Sequence, residues 1–171
     1  MEAEQRQRVE HLYSRHAGAV HAYARRRSDA SVADDVVMEV FVVACRRLED
    51  VPEDALPWLL GCARRVMANQ RRGAARAEAL AEQIRSVAET TAVDVSDAGV
   101  LADALEQLPA RDQELLLLTA WEGLDLAQAA GVMGCSRGAA GVRLHRARKR
   151  LRQALGRPRS PHDTRPRSEM A

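Results

Sequence analysis

The chain has 171 residues, a formal net charge of +2 and a 46% hydrophobic content, of which aromatics are scarce at 3% of residues. That length holds one domain or two small ones, and the dominance of Ala, Leu, Val and Arg favours packed helices over a β-sheet core. No signal peptide or membrane-length apolar run is present, so a cytoplasmic protein with no membrane insertion is expected.

The near balance of charge conceals segregation. Between residues 77 and 108 the charges are Glu78, Glu82, Glu89, Asp94, Asp97, Asp103 and Glu106 against Arg85 alone, while both flanks are basic. This pattern fits two DNA-facing parts joined by an acidic connector. Cys45, Cys62 and Cys135 lack metal-ligand spacing and are expected to be buried thiols, with no metal and no cofactor. Nothing resembles a nucleophile–base pair or a phosphate loop, so a non-catalytic protein is expected.

The first helix spans residues 2–27, with Val9, Leu12, Tyr13, His16, Val20 and Tyr23 on a recurring face. His11, His16 and His21 step roughly 140° apart around it, which scatters them and argues against a metal cluster. Ser28 to Ser31 break the helix, and Ser31 with Asp34 makes an approximate capping box for the next. From residue 32 to 48, Val37, Val40, Phe41, Ala44 and Leu48 form a core stripe. The opposite stripe, Asp35, Met38, Glu39, Val42 and Arg46, places Met and Val among charges, as a protein-docking surface would.

Residues 49–56 form a short acidic loop holding Pro52, and Pro57 suits the first turn of a third helix over 58–73. Leu59, Cys62, Ala63 and Val66 point inward. Arg64, Arg65, Asn69, Gln70, Arg71 and Arg72 cover the rest, combining arginines with amides suited to phosphates and base edges. Residues 77–97 lose periodicity and read as a linker, helical at its start. A helix resumes over 100–108, Pro109 opens another at N1 that runs to Trp121, and Glu122-Gly123 ends it.

The stretch from 115 to 155 reads as a helix–turn–helix. Asp125 caps a short helix striped by Leu126, Ala129, Ala130 and Met133; Gly134-Cys135 turns the chain; Ser136 caps the second helix. Ala140, Leu144, Ala147, Leu151 and Leu155 make its inward stripe. Its other faces carry Arg137, Arg143, His145, Arg146, Arg148, Lys149, Arg150 and Arg152, with no carboxylate in the helix. A helix of one sign repels itself unless a polyanion meets it, and DNA phosphate fits. Gly138, Ala139 and Gly141 would let its start sit close to base edges in a major groove. The Pro/Arg-rich tail after residue 156 lacks an apolar pattern and reads as disordered.

The expected fold is therefore all-α: an N-terminal domain over 1–76, an acidic flexible linker over 77–99, a C-terminal helix–turn–helix domain over 100–155 and a disordered tail over 156–171. On residues alone, a stand-alone helix–turn–helix regulator and a protein-binding module with a merely solvated basic helix remain alternatives.

The segments HLYSRHAGAVHAYARRR (11–27), DDVVMEVFVVACRRL (34–48), PWLLGCARRVMANQRR (57–72) and the whole of 104–151 resemble, in order and spacing, the extracytoplasmic-function sigma factors of bacterial RNA polymerase. The resemblance implies that Asp35, Met38, Glu39 and Val42 dock on the β′ clamp coiled coil of core polymerase, with β also contacted. It implies that the Trp58–Arg72 helix, with Arg64, Arg65, Asn69, Gln70 and Arg71, engages the −10 element together with its preceding loop. It assigns the −35 element to Ser136, Arg137, Ala139, Gly141, Arg143, His145, Arg146 and Lys149. It also implies an anti-sigma partner. Met38 stands where the family usually has glutamine, Cys45 where tryptophan is common, and Arg65 and Asn69 in place of asparagine and aspartate. Ala139 and Gly141 replace a frequent threonine and lysine, shifting weight onto phosphate contacts by Arg143, Arg146 and Lys149.

Overall fold

The computed structural model describes the backbone of residues 2–82 and 97–156 and the side chains of residues 3–73 and 100–156. Among the described residues there are seven α-helices and no strand. Residues 83–96 of the expected linker and 157–171 of the expected disordered tail lie outside the described residues.

Helix α1 (Glu2–Arg25) turns its Leu12, Val20 and Tyr23 inward. Tyr13, expected on that face, is half exposed and packs edge-on against Phe41, with ring centroids 4.9 Å apart. Helix α2 (Ala30–Arg46) begins earlier than the Ser31–Asp34 pattern implied. Asp29, in extended conformation, is its N-cap, and no side-chain cap bond forms. Its core stripe is buried as expected and is broadened by Ala33 and Val36.

A 3-10 turn at Leu48–Asp50 shortens the acidic loop, and α3 (Ala55–Glu82) starts two residues before Pro57. Proline is tolerated there because the N–H groups of a first turn lack helical acceptors anyway. The helix continues past Gly73, so it carries the chain well into the segment read as linker. Leu60, Gly61 and Met67 are buried in addition to the expected Leu59, Cys62, Ala63 and Val66. A helix apolar over so wide an arc has neighbours on more than one side.

That second neighbour comes from the far end of the chain. Helices α4 (Asp97–Glu106), α5 (Ala110–Ala120), α6 (Leu126–Met133) and α7 (Arg137–Leu155) make the second helical group, and α6 seats on α3. A Cβ added at Gly61 would stand 4.0 Å from the Val132 Cα, so the two helices meet with almost no side chain between them there. Buried residues of both groups form one continuous cluster, from Leu12 through Leu60 and Met67 to Val132 and Ala147. Pro109 is the N-cap of α5, one position earlier than expected.

The turn between α6 and α7 follows from local chemistry. The Asp125 carboxylate accepts from the N–H groups of Ala127 and Gln128 at 2.7 and 2.8 Å, and Gln128 Oε1 accepts from the Asp125 N–H at 2.8 Å. This closes a capping box that satisfies the otherwise unpaired first-turn donors. Gly134 takes φ +65°, and the Cys135 N–H donates to the Ala130 carbonyl at 3.0 Å, ending the helix in a left-handed cap. The Ser136 hydroxyl accepts from the Ala139 N–H at 3.2 Å and starts α7. Cys62 is buried, but Cys135 and Cys45 are exposed, which corrects the expectation of buried thiols. A residue in an αL-closed surface turn has no helix face to hide on.

Candidate nucleic-acid interface

Helix α7 packs on α4, α5 and α6 through Ala140, Leu144 and Ala147, with Leu151 half-buried. Arg137, His145, Arg146, Arg148, Lys149 and Arg152 are exposed. Gly138 and Ala139 leave the helix start bare. Gly141 does not belong to that open end: it is half-buried, and a Cβ there would meet Leu126 Cδ2 at 3.4 Å. Its lack of a side chain serves the crossing of α6 and α7. Leu155, expected inside, is 44% exposed at the helix end.

The carboxylate missing from α7 arrives from α5. Asp112 is 2% exposed; it accepts from Arg143 Nη1 at 3.1 Å and from Arg150 Nη1 at 2.5 Å. These arginines are two helical turns apart on one face, so a single buried acid fixes both while half of each side chain stays in solvent. Sequence reasoning missed Asp112 because an acid in a first helical turn is ordinary for dipole reasons alone.

On α3, Arg65, Asn69, Arg71 and Arg72 are exposed, Arg64, Gln70 and Trp58 are half-buried, and Arg72 donates to Asn69 Oδ1. Gln70 Oε1 is buried without a hydrogen-bond partner among the described residues. Arg64 and Arg71 line a half-open cleft of about 170 Å³ together with Arg27, Met67, Arg111 and Glu114. The cleft lies where α5 approaches α1 and α3. Across it Tyr23 Oη donates to Glu114 Oε1 at 2.7 Å, and Arg27 Nε donates to Glu114 Oε2 at 2.8 Å. Arg27 Nη1 also reaches Glu122 Oε1 at 3.2 Å, and Arg26 reaches Glu122 Oε2 at 2.5 Å. The Arg27 guanidinium stands 3.7 Å over the Tyr23 ring. Burial and the Glu114 charge push the Tyr23 hydroxyl well above its ordinary value. For Arg27, burial works against the charge, but the hydrogen bond and charge of Glu114 outweigh it and raise the pKa. These interdomain contacts had no signal in the sequence.

The α2 stripe lies on the surface. Asp35, Glu39 and Arg46 are exposed, Met38 is 64% exposed and Val42 42% exposed. Among the described residues no group of His, Cys, Asp and Glu is arranged to hold a metal, and no helix is long and apolar enough to cross a membrane.

Known proteins share this arrangement. Residues 12–77 match the family model of sigma-70 region 2, and residues 98–151 match that of sigma-70 region 4. The ECF RNA polymerase sigma factor SigL of Mycobacterium tuberculosis is 32% identical over 153 residues, covering 84% of this chain and 86% of SigL. The chain belongs to the extracytoplasmic-function sigma factors. It directs promoter-specific initiation of transcription, rather than acting as a stand-alone regulator. Among solved structures, the sigma factor RpoE of Bartonella quintana, in complex with the anti-sigma factor NepR, superposes with a TM-score of 0.69 at 23% identity, over 88% of this chain and 98% of that one, and shows the shared fold. CnrH, solved with the cytosolic domain of CnrY, superposes with a TM-score of 0.62 at 28% identity, over 86% of each chain. Both domains of this sigma factor are helical among the described residues.

Proposed function

We propose that this sigma factor divides into a core-binding and −10-reading domain over 1–76, a linker over 77–99 and a −35-reading domain over 100–155. Asp35, Met38, Glu39 and Val42 dock on the β′ clamp coiled coil of core polymerase. The observation that carries this reading is the α2 stripe itself: two carboxylates flank a 64% exposed methionine on the face opposite the core. A monomeric surface gains nothing from such a methionine, whereas a protein interface buries it as an anchor.

Trp58, Arg64, Arg65, Asn69, Gln70, Arg71 and Arg72 form the −10 face. Helix α7 enters the major groove at the −35 element with Ser136, Arg137 and Ala139 nearest the bases. His145, Arg146 and Lys149 lie on phosphates, and Arg143 joins them in the orientation that Asp112 imposes. Gly141 acts from the rear, by keeping α6 and α7 close. Linking two modest readers raises the effective concentration of the second once the first is bound. The protein itself catalyses nothing and works in the cytoplasm as a specificity subunit. That RpoE was solved with the anti-sigma factor NepR, and CnrH with the cytosolic domain of CnrY, supports a resting state held by an anti-sigma partner.

The test is transcription of fragmented bacterial genomic DNA by core polymerase with and without the protein, sequencing the new 5′ ends. New starts sharing two spaced upstream motifs are expected. Their absence, together with no binding to core polymerase, overturns the reading.

A further inference from the structure

Arg26 and Arg27 form the turn that follows α1, outside every segment so far assigned to DNA. Their surroundings are unusual for two arginines at a helix end. The Arg27 side chain is 8% exposed and Arg26 31%, and both face carboxylates supplied only by α5 and the turn after it. Those carboxylates are buried as well, Glu122 at 5% and Glu114 at 16% exposure. Arg71 Nη2 donates to the Arg27 carbonyl at 2.9 Å, tying the same spot to the α3 arginines.

We propose that Arg26 and Arg27, continuous with Arg64 and Arg71, are a binding site for nucleic-acid phosphate, and that Glu114 and Glu122 of the second domain occupy it when no DNA is bound. The proposal rests on the reading of α3 as the −10 face and extends it.

The chemistry of the pairing favours a phosphate as the alternative occupant. Arg27 uses Nε and Nη1 on the two glutamates and on the Tyr23 carbonyl, while Nη2 is buried with no hydrogen-bond partner among the described residues. Two carboxylates therefore leave one donor of the fork unanswered. A phosphodiester presents further acceptors to a guanidinium fork and satisfies it bidentately. The cleft of about 170 Å³ beside it, lined by Arg64, Arg71 and Arg111, continues the cationic surface.

Geometry requires that the glutamates leave. Elements named −10 and −35 stand about 25 base pairs apart, or roughly 85 Å along B-form DNA. A compact chain of 171 residues has a radius of gyration of about 16 Å. Domains packed through one continuous core, with Gln128 Nε2 on α6 donating to Asp54 Oδ2 at 2.7 Å, cannot reach both elements at once. Separation withdraws Glu114 and Glu122 and bares Arg26 and Arg27 at the moment when DNA is engaged. The closed form thus competes with nucleic acid for the same cations, and the free chain binds DNA with an affinity reduced by the fraction that is open.

The experiment measures binding of the full chain to a fluorescein-labelled single-stranded DNA oligonucleotide by anisotropy across a salt series. Glu114→Gln with Glu122→Gln should tighten binding about tenfold and steepen the salt slope by about 1.4, for two further phosphate contacts on a single strand. Adding Arg26→Ala with Arg27→Ala should cancel both gains. Unchanged affinity and slope in the glutamine variant, or gains that survive loss of the two arginines, overturn the proposal. Should the glutamine variant fail to fold, Tyr23→Phe removes one bond to Glu114 and no charge; it should shift affinity in the same direction, and no shift overturns the proposal. Arg64→Ala with Arg71→Ala in the glutamine background tests the α3 reading separately, since it alone loses its effect if that reading is wrong.

Discussion

Asp112 on α5 holds Arg150 on α7 at 2.5 Å, from a position only 2% exposed. It holds Arg143, one heptad earlier, at the same time. One buried acid thus ties two arginines of α7 to α5, beside the apolar packing of Ala140, Leu144 and Ala147. Asp112→Ala should destabilise the protein by about 2 kcal/mol, because it leaves two cations without their counter-charge and empties a buried polar site. Urea unfolding measures this, and a change within experimental error would show that the pairs contribute nothing net.

The α6–α7 turn relies on backbone chemistry that two substitutions separate. Asp125→Ala removes the capping box and should cost about 1 kcal/mol. Gly134→Ala forces a Cβ into φ +65° and should cost about 1 kcal/mol by a different route. Thermal unfolding of both single variants should show both losses, with no change in helix content at low temperature.

Docking on core polymerase is expected to depend on exposed carboxylates that do no structural work. Asp35→Ala with Glu39→Ala should weaken binding to core polymerase while the unfolding midpoint stays put, since both side chains are exposed. Pull-down or surface plasmon resonance with purified core reads this directly. Undiminished binding would move the docking surface elsewhere.

Exposed cations on α7 should set the salt dependence of −35 binding. Arg146→Ala with Lys149→Ala should flatten the slope of log affinity against log salt by about 1.8 on duplex DNA. An unaltered slope would take both residues off the phosphate backbone.

The three thiols should separate by reactivity. Burial pushes the Cys62 thiol above its ordinary value, outweighing the nearby arginines Arg65 and Arg47, whereas Cys45 and Cys135 are exposed. A maleimide at neutral pH should label Cys45 and Cys135 in the folded protein and reach Cys62 only on unfolding. Mass spectrometry of the labelled peptides decides it; rapid native labelling of Cys62 would contradict its burial.

The sequence by itself determined the elements and most of their faces. Period 3.6 in α2 put Val37, Val40, Phe41 and Ala44 inside and Met38 and Val42 outside, and both placements hold. Asp125, Gly134 and Ser136 carried the helix–turn–helix because caps and a positive φ are satisfied within a few residues. The same locality made the one-signed charge of α7 legible.

Only the tertiary structure decided what meets across distance. The burial of Leu60 and Met67, the approach of Val132 to Gly61, and the engagement of Arg27 by Glu114 join residues far apart in the chain. Asp112 beneath Arg143 belongs to the same class. Periodicity reports which face of a helix is apolar, but not which of two neighbours covers it. A carboxylate reads as solvated until folding removes the water around it. Local bonds can be read along the chain; pairings that depend on desolvation exist only once the helices have packed.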